Sequence, residues 1–275
     1  LPVQWLLPVL GWRSLFWGLA LLVLLSMGWI CVQVPRWTAS VPVAISGAEN
    51  GLAAGAATGG YAEVWRHPYF RRLIPMGFFS YGGMVAMQTL WAGPWMVKVC
   101  GYSALEAATG LFWVNVAMLV TFWSWGMLSP WLAQKGWHAN TLMTWGLPSS
   151  LLMLALVIGA GPDAGIAAAA LWALFCMGSS FASLSQPALA LAFPPALAGR
   201  ALSAFNLVIF AGVFAVQWGI GLAIDAFKGA GWSEVAAYQA AMGVFWIACL
   251  AAYLWFVVVG RFTPEQAVGV PDKTP

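Results

Sequence analysis

The chain has 275 residues, of which 62% are hydrophobic and only 7% charged, with 19 tryptophans and a net charge of +3. A soluble domain carries about 25% charged residues to solvate its surface, so a water-facing surface over most of this chain is excluded. A net charge of +3 is also too small to argue for nucleic acid as a partner.

In chain order, residues 1–10 (LPVQWLLPVL) are apolar from the first position, with no basic leader. Ten helical residues give ~15 Å, about half of a ~30 Å hydrocarbon layer, so the sequence is expected to begin inside a helix, with chain missing upstream. GWRS at 11–14 is read as a turn, and Leu15–Val34 as the first full span. Thr38–Gly60 is rich in Gly and Ala and reads as a flexible linker. Tyr61–Arg72 (YAEVWRHPYFRR) reads as an amphipathic, basic lead-in.

Six further spans follow: Leu73–Val97, Leu105–Leu128, Thr141–Ala160, Ile166–Ala192, Ala201–Ile224 and Val235–Val259. The turns between them are KVCGYS, SPWLAQKGWH, GPDAG, FPPALAGR and DAFKGAGWSE. In lipid every backbone group needs an internal partner, and nothing here alternates as a barrel strand would, so the spans are helices. The fold expected is an all-α polytopic membrane protein with seven full transmembrane helices. The hairpin at FPPALAGR rests on length. From Ala164 to Ile224 the 61 residues carry one charge, Arg200. One helix of that length would reach roughly 90 Å, three times the hydrocarbon thickness, so the chain turns back at Pro194 and Pro195.

Alternating spans sort the basic residues into two sides. Arg36, Arg66, Arg71, Arg72, Lys135, Arg200, Arg261 and Lys273 share one; Arg13, Lys98 and Lys228 share the other. Eight against three puts the first side in the cytoplasm. The expectation is a multi-pass inner (plasma) membrane protein with a cytoplasmic linker and C-terminus.

Three stretches carry a resemblance to the major facilitator superfamily. LPVLGWRSLFWGLALLVLL resembles the end of that family's fifth helix, the outer loop and the start of the sixth. FPPALAGRALSAFNLVIFAGVFAVQWGIGLAID resembles the hairpin of its helices ten and eleven. A long cytoplasmic linker before a six-helix unit resembles the join between the family's two halves. The resemblance implies that residues 1–35 are a remnant of the N-terminal bundle, the end of helix five plus helix six. It makes 36–72 a cytoplasmic linker, 73–261 the C-terminal six-helix bundle and 262–275 a cytoplasmic tail. The chain would then be a fragment lacking most of the N-terminal half. The loop GMLSPWLAQKGWH departs from the family's charged loop motif, since it holds no Asp.

Inside the spans the informative residues are polar ones, because each is costly in lipid unless paired or hydrated. No span carries a charge near its middle. Tyr81 and Gln88 are seven residues apart, and Trp91 follows. Ser179, Ser183 and Gln186 share a helical face, as do Asn206 and Gln217, eleven residues apart. Asn115 is the one strong polar residue inside its span. By the resemblance, helices seven, eight, ten and eleven line a central cavity, which makes Tyr81, Gln88, Trp91, Asn115, Ser183, Gln186, Asn206 and Gln217 the candidate solute contacts. Set against this, Ser and Thr in membrane helices often bond their own backbone, and Asn or Gln often joins helices. CMGSSFAS (176–183) reads as a close-packing surface of small residues. Trp95, Trp131, Trp137 and Trp232 read as interfacial anchors, and His67 and His138 as solvated edge residues.

Four cysteines (Cys31, Cys100, Cys176, Cys249) lie far apart, without CxxC or paired Cys/His spacing, so no metal site, disulfide framework or cofactor is expected. Scattered acidic residues give no clustered catalytic set, so the chain is not expected to be an enzyme. The function implied is secondary active transport, by symport or antiport, of a small polar organic solute through alternating access. Its partners would be that solute, the lipid bilayer and a coupling proton or ion. A membrane enzyme, a receptor and a channel are the alternatives.

Overall fold

The computed structural model describes residues 2–38 and 60–262; the linker read over 39–59 and the tail beyond 262 lie outside the described residues. Every regular element among the described residues is helical. The chain forms two compact units, Leu1–Thr58 and Gly59–Pro275.

Among the described residues the first unit is one helix, α1 (Pro2–Thr38), interrupted only at Gly11 (φ 69°, ψ 162°). The backbone of residues 12–14 is helical, so the turn expected at GWRS reduces to a kink at the one residue that takes a positive φ without steric cost. Pro8–Gln33 is long and apolar enough to cross a membrane, and none of it is buried.

The second unit opens with a short helix, α2 (Tyr61–Arg66), and an elbow at His67. Helix α3 (residues 68–98) follows, then α4 (Ala104–Gln134) and α5 (Ala139–Ala160). Helix α6 (residues 168–191), α7 (Pro195–Gly229) and α8 (Glu234–Phe262) complete it. Among the described residues five segments are long and apolar enough to span: Pro8–Gln33, Ala104–Gln134, Ala139–Leu191, Pro195–Gly229 and Glu234–Gly260. The 53-residue stretch Ala139–Leu191 is α5 and α6 lying against each other, because Gly161 (φ 49°) and Gly165 (φ 47°) reverse the chain in a tight turn over Gly161–Ala167. Five long apolar helices make the chain compatible with a multi-pass membrane protein.

Most helix ends differ from the sequence expectation in one way: the turns are shorter, the exception being GPDAG, whose turn extends over Gly161–Ala167. FPPALAGR was expected to be a whole hairpin loop, but Pro195 is the first residue of α7 and only 192–194 are non-helical. Proline suits the first helical position, where its missing amide has no partner to lose. Likewise α4 continues through Pro130 to Gln134, and α7 runs on to Gly229.

Side-chain contacts define two ends of this unit. At one, His67 stacks on Phe193 with centroids 4.4 Å apart, and the Tyr69 hydroxyl donates to Asn140 Oδ1 at 2.8 Å. There too Tyr253 donates to the Thr144 carbonyl at 2.9 Å and Arg72 Nε to the Phe256 carbonyl at 2.9 Å. At the other end Cys100 Sγ reaches the Gly161 carbonyl (3.4 Å), Tyr102 the Gly165 carbonyl (2.8 Å), and Gln239 Nε2 the Ile158 carbonyl (2.9 Å). Lys98 and Lys228 converge there on Glu234 at 3.5 and 3.9 Å. Successive helices therefore run in opposite directions. Burial of the Tyr102 phenol pushes its pKa above the ordinary value.

Small residues set the closest approaches. A Cβ on Gly82 of α3 would lie 2.6 Å from the Ile209 carbonyl oxygen of α7, and one on Gly212 would strike the backbone of Phe78. Gly178 meets Ser149 and the backbone of Ser150 in the same manner, so CMGSSFAS is a packing surface as its composition indicates. Two expectations are corrected here. Trp95 is fully buried, edge-on to Trp172 at 6.2 Å, and is no interfacial anchor. His67 is not a freely solvated edge residue: its ring lies on Phe193, its Nδ1 is buried, and desolvation holds its pKa below 6.5 despite the Glu63 charge. Trp131, Trp137 and Trp232 are exposed, and Lys135 Nζ sits 4.0 Å above the Trp131 ring.

Arg72 is the unexpected charge. It is 9% exposed and spread over the Phe256 ring at 4.2 Å, in space that Gly260 leaves open. The sequence counts it with the outward basic flank. In the fold it bonds a carbonyl near the C-terminus of α8, where unsatisfied carbonyls favour a cation.

Candidate functional site

Helix α3 does not keep one winding. Met76–Gly82 and Met87–Trp91 are π-helical turns between α-helical pieces. Pro94 contributes to the second, because it cannot donate to the Leu90 carbonyl four residues back. The π turns matter because they hold the candidate residues: Tyr81 lies in the first, and Gln88 and Trp91 in the second. Turns of this kind re-aim side chains and recur at functional sites.

Three helices meet around the second π turn. Gln88 Nε2 donates to Asn115 Oδ1 of α4 at 2.9 Å, and Asn115 Nδ2 donates to its own helix at the Leu111 carbonyl, 2.8 Å. The next residue of α3, Thr89, reaches the other way. Its hydroxyl accepts from Gln217 Nε2 of α7 at 3.0 Å and donates to the Val85 carbonyl at 2.6 Å. Trp91 Nε1 donates to the Gln217 backbone carbonyl at 3.2 Å, and its ring packs edge-on to Tyr238 at 6.2 Å. Gln88, Trp91, Asn115 and Gln217 thus form one neutral cluster, which Thr89 completes.

A second pair lies on α7 roughly 16 Å from the first, eleven residues at 1.5 Å each. Gln186 Nε2 of α6 donates to Asn206 Oδ1 at 2.9 Å. Between the two sites α7 presents Phe210 and Phe214, and one residue past Gln217 it presents Trp218; all three are exposed, and Phe214 and Trp218 stack at 6.3 Å. Asn115, Thr89 and Asn206 are exposed as well. Among the described residues the Oε1 atoms of Gln88, Gln186 and Gln217 accept no hydrogen bond, and Asn206 Nδ2 donates none. Three acceptors and a donor are therefore open on this surface.

Tyr81 and Ser183 stand apart from both pairs. Tyr81 is half-buried against both apolar clusters of the unit. Its seven-residue spacing to Gln88 is not two regular turns here, because the winding changes twice between them. Ser183 lies in a 3₁₀ turn, Ser180–Leu184, and donates to the Ser180 carbonyl at 2.7 Å. Its hydroxyl serves the backbone. Pro187, which lacks the amide that would bond Ser183, lies three residues beyond that turn.

Thr89 is the participant that sequence reasoning passed over, and Ser180 makes a further interhelical bond outside both sites. Ser180 accepts from Trp125 Nε1 of α4 at 2.9 Å and donates to the Met177 carbonyl at 2.6 Å. Both lie in irregularly wound turns, where regular helical spacing does not say which face a residue takes. A proline a few residues downstream is the signal that could have found them.

Comparison of the chain with protein-family models, curated proteins and solved structures gives no match.

Proposed function

We propose that the chain takes part in secondary active transport of a small polar organic solute. The solute would rest against α3, α4 and α7, held by Gln88, Trp91, Asn115 and Gln217, with Gln186 and Asn206 as a second station. In this reading the helices make seven membrane crossings, α1 and α3 to α8. The end bearing Arg71, Arg72 and Arg200 is cytoplasmic, in line with the distribution of basic residues. A major-facilitator-type arrangement, with residues 73–261 as one bundle and a proton or ion as the coupling partner, is part of the same proposal.

The observation that carries it is the set of open amide groups on an exposed, otherwise aromatic and aliphatic face. An unpaired amide in hydrocarbon costs several kcal/mol, so such a face belongs against water or a polar ligand. Neutral amides beside Trp91 suit a solute with hydroxyl or amide groups, and no formal charge lies within the cluster to select an ion.

A second reading is favoured by the bonds themselves. Gln88–Asn115, Thr89–Gln217 and Gln186–Asn206 all run between helices, as polar fastenings do. The two readings part in one experiment. The chain in lipid nanodiscs is titrated with a panel of uncharged and zwitterionic solutes (sugars, polyols, amides, amino acids), and thermal stabilisation is read. The transport reading expects at least one solute to stabilise saturably and to be recovered chemically unchanged. Gln217→Ala and Gln88→Ala should each weaken that response about tenfold, the loss of one hydrogen bond of ~1.4 kcal/mol. A panel without response, or variants that respond like the parent, would leave the fastening role alone standing.

A further inference from the structure

We propose that a small cavity between α3, α5, α6 and α8 binds one water molecule. The hydroxyls of Ser80, Ser150, Ser179 and Tyr253 hold it, and through it they fasten four helices together. The proposal does not depend on the transport of a solute.

The four residues line one cavity of about 10 Å³, together with Cys249. That is roughly the least space that admits a water, and it excludes a larger ligand. Ser179 is only 3% exposed, Ser150 and Cys249 are also buried, and Ser80 and Tyr253 are half-buried. Irregular winding brings the polar groups here. Ser80 lies in the first π turn of α3, and Ser179 stands where α6 passes into its 3₁₀ turn. Pro148 of α5 has no amide to give the Thr144 carbonyl four residues back. The Tyr253 hydroxyl takes that place at 2.9 Å.

The identity of the occupant follows from which hydrogens are already used. Tyr253 gives its hydrogen to the Thr144 carbonyl, and Ser150 gives its own to the Leu147 carbonyl at 2.8 Å. Both oxygens keep lone pairs that can accept. Cys249 Sγ, a weak acceptor at best, donates to the Phe79 carbonyl at 3.5 Å. Among the described residues the hydroxyls of Ser80 and Ser179 make no hydrogen bond, and a hydroxyl left unpaired away from water costs free energy. Two oxygens therefore offer lone pairs alone, and two hydroxyls still have a hydrogen to give. Water donates twice and accepts twice, so one molecule satisfies all four. A cation would use lone pairs only and leave the hydrogens of Ser80 and Ser179 without an acceptor. No charged residue lines the cavity to offset its charge.

The test is NMR cross-relaxation between water and the methyl groups of Leu147, Leu151 and Leu154, which also line the cavity. It is measured on the full chain in detergent micelles with its leucine methyl groups labelled. The parent should show cross-peaks from these methyl groups to the water resonance, with the sign of a long-lived contact. S179V, which deletes a donor and puts methyl groups into the space, should lose them. S124V, which changes a hydroxyl of α4 that bonds its own backbone, should keep them. Should S179V fail to fold, S80V carries the same expectation from the facing helix. A parent without these cross-peaks overturns the proposal, as does a folded S179V or S80V that retains them. Saturable stabilisation of the parent by sodium chloride but not choline chloride, abolished in S179V, would make the occupant a cation and also overturn it.

Discussion

Helices α3 and α7 are joined twice, by opposite means. At Gly82 and Gly212 the two backbones touch because neither residue has a side chain. A short way along, the same helices are joined by side chains: Thr89 to Gln217, and Trp91 to the Gln217 carbonyl. The glycine joint is buried and made of main chain that cannot move aside. The amide joint is at the surface and made of groups that can exchange partners. The first suits holding a bundle together. The second suits a surface that must bind and release. Arg72 on the Phe256 carbonyl is an intermediate case, polar like the amide joint but buried like the glycine one.

The largest effect is expected at the glycine joint. Gly212→Val puts methyl groups into the backbone of Phe78 and should destabilise the unit by about 3 kcal/mol, the upper part of the overpacking range. Gly219→Ala, about two turns further along the same helix with open space around its Cβ position, should not destabilise it. Unfolding in mixed micelles by added denaturing detergent compares the two. Equal stability of both variants would break the claim that backbone approach holds α3 to α7.

Next comes Arg72→Met, which keeps the stem and deletes the charged donor. It should cost about 2 kcal/mol, since a buried carbonyl loses a charge-assisted bond and a ring loses its cation. The same unfolding assay reads it, and Arg72→Lys should recover only part, because an ammonium does not spread over the Phe256 ring as a guanidinium does. An unchanged midpoint would return Arg72 to the outward basic flank.

At the amide joint the expected loss is smaller. Gln217→Leu should lower stability by only ~0.6 kcal/mol, the mean for interhelical hydrogen bonds in membranes. A loss matching that of Gly212→Val would erase the contrast between the joints and make the amides structural. A double-mutant cycle of Gln88→Ala and Asn115→Ala sharpens the same point: their coupling should be of similar size.

The smallest effect is a pH dependence at the His67–Phe193 contact. Burial depresses the folded pKa of His67 below its ordinary 6.5. Its contribution is therefore present above pH 6.5 and is lost as pH falls through the depressed folded value, because the unfolded chain takes up the proton first. His67→Phe should flatten the stability profile on the acid side of neutrality. A parent whose stability rises on acidification there would contradict the assigned burial.

The helical class and the positions of most apolar runs, long enough to be compatible with a multi-pass membrane protein, were legible in the sequence, because they depend on composition and length summed over about 20 residues. So were the amide positions. Gln88, Asn115, Gln186, Asn206 and Gln217 stand out in spans with almost no other strong polar groups. Their partners were not legible. Which residue meets Gln217 depends on a π turn at Met87–Trp91, and on a helix crossing set by two glycines distant in sequence. Ser183 reads as a candidate solute contact sharing a face with Ser179 and Gln186 on regular winding, and is turned to its own backbone by a 3₁₀ turn. Arg72 and Trp95 mark the same divide. Residue type alone places a charge and an interfacial aromatic at a helix end, and type is a property of one position. Burial is a property of what packs beside it, and here that was Phe256, Gly260 and Trp172, on helices far along the chain.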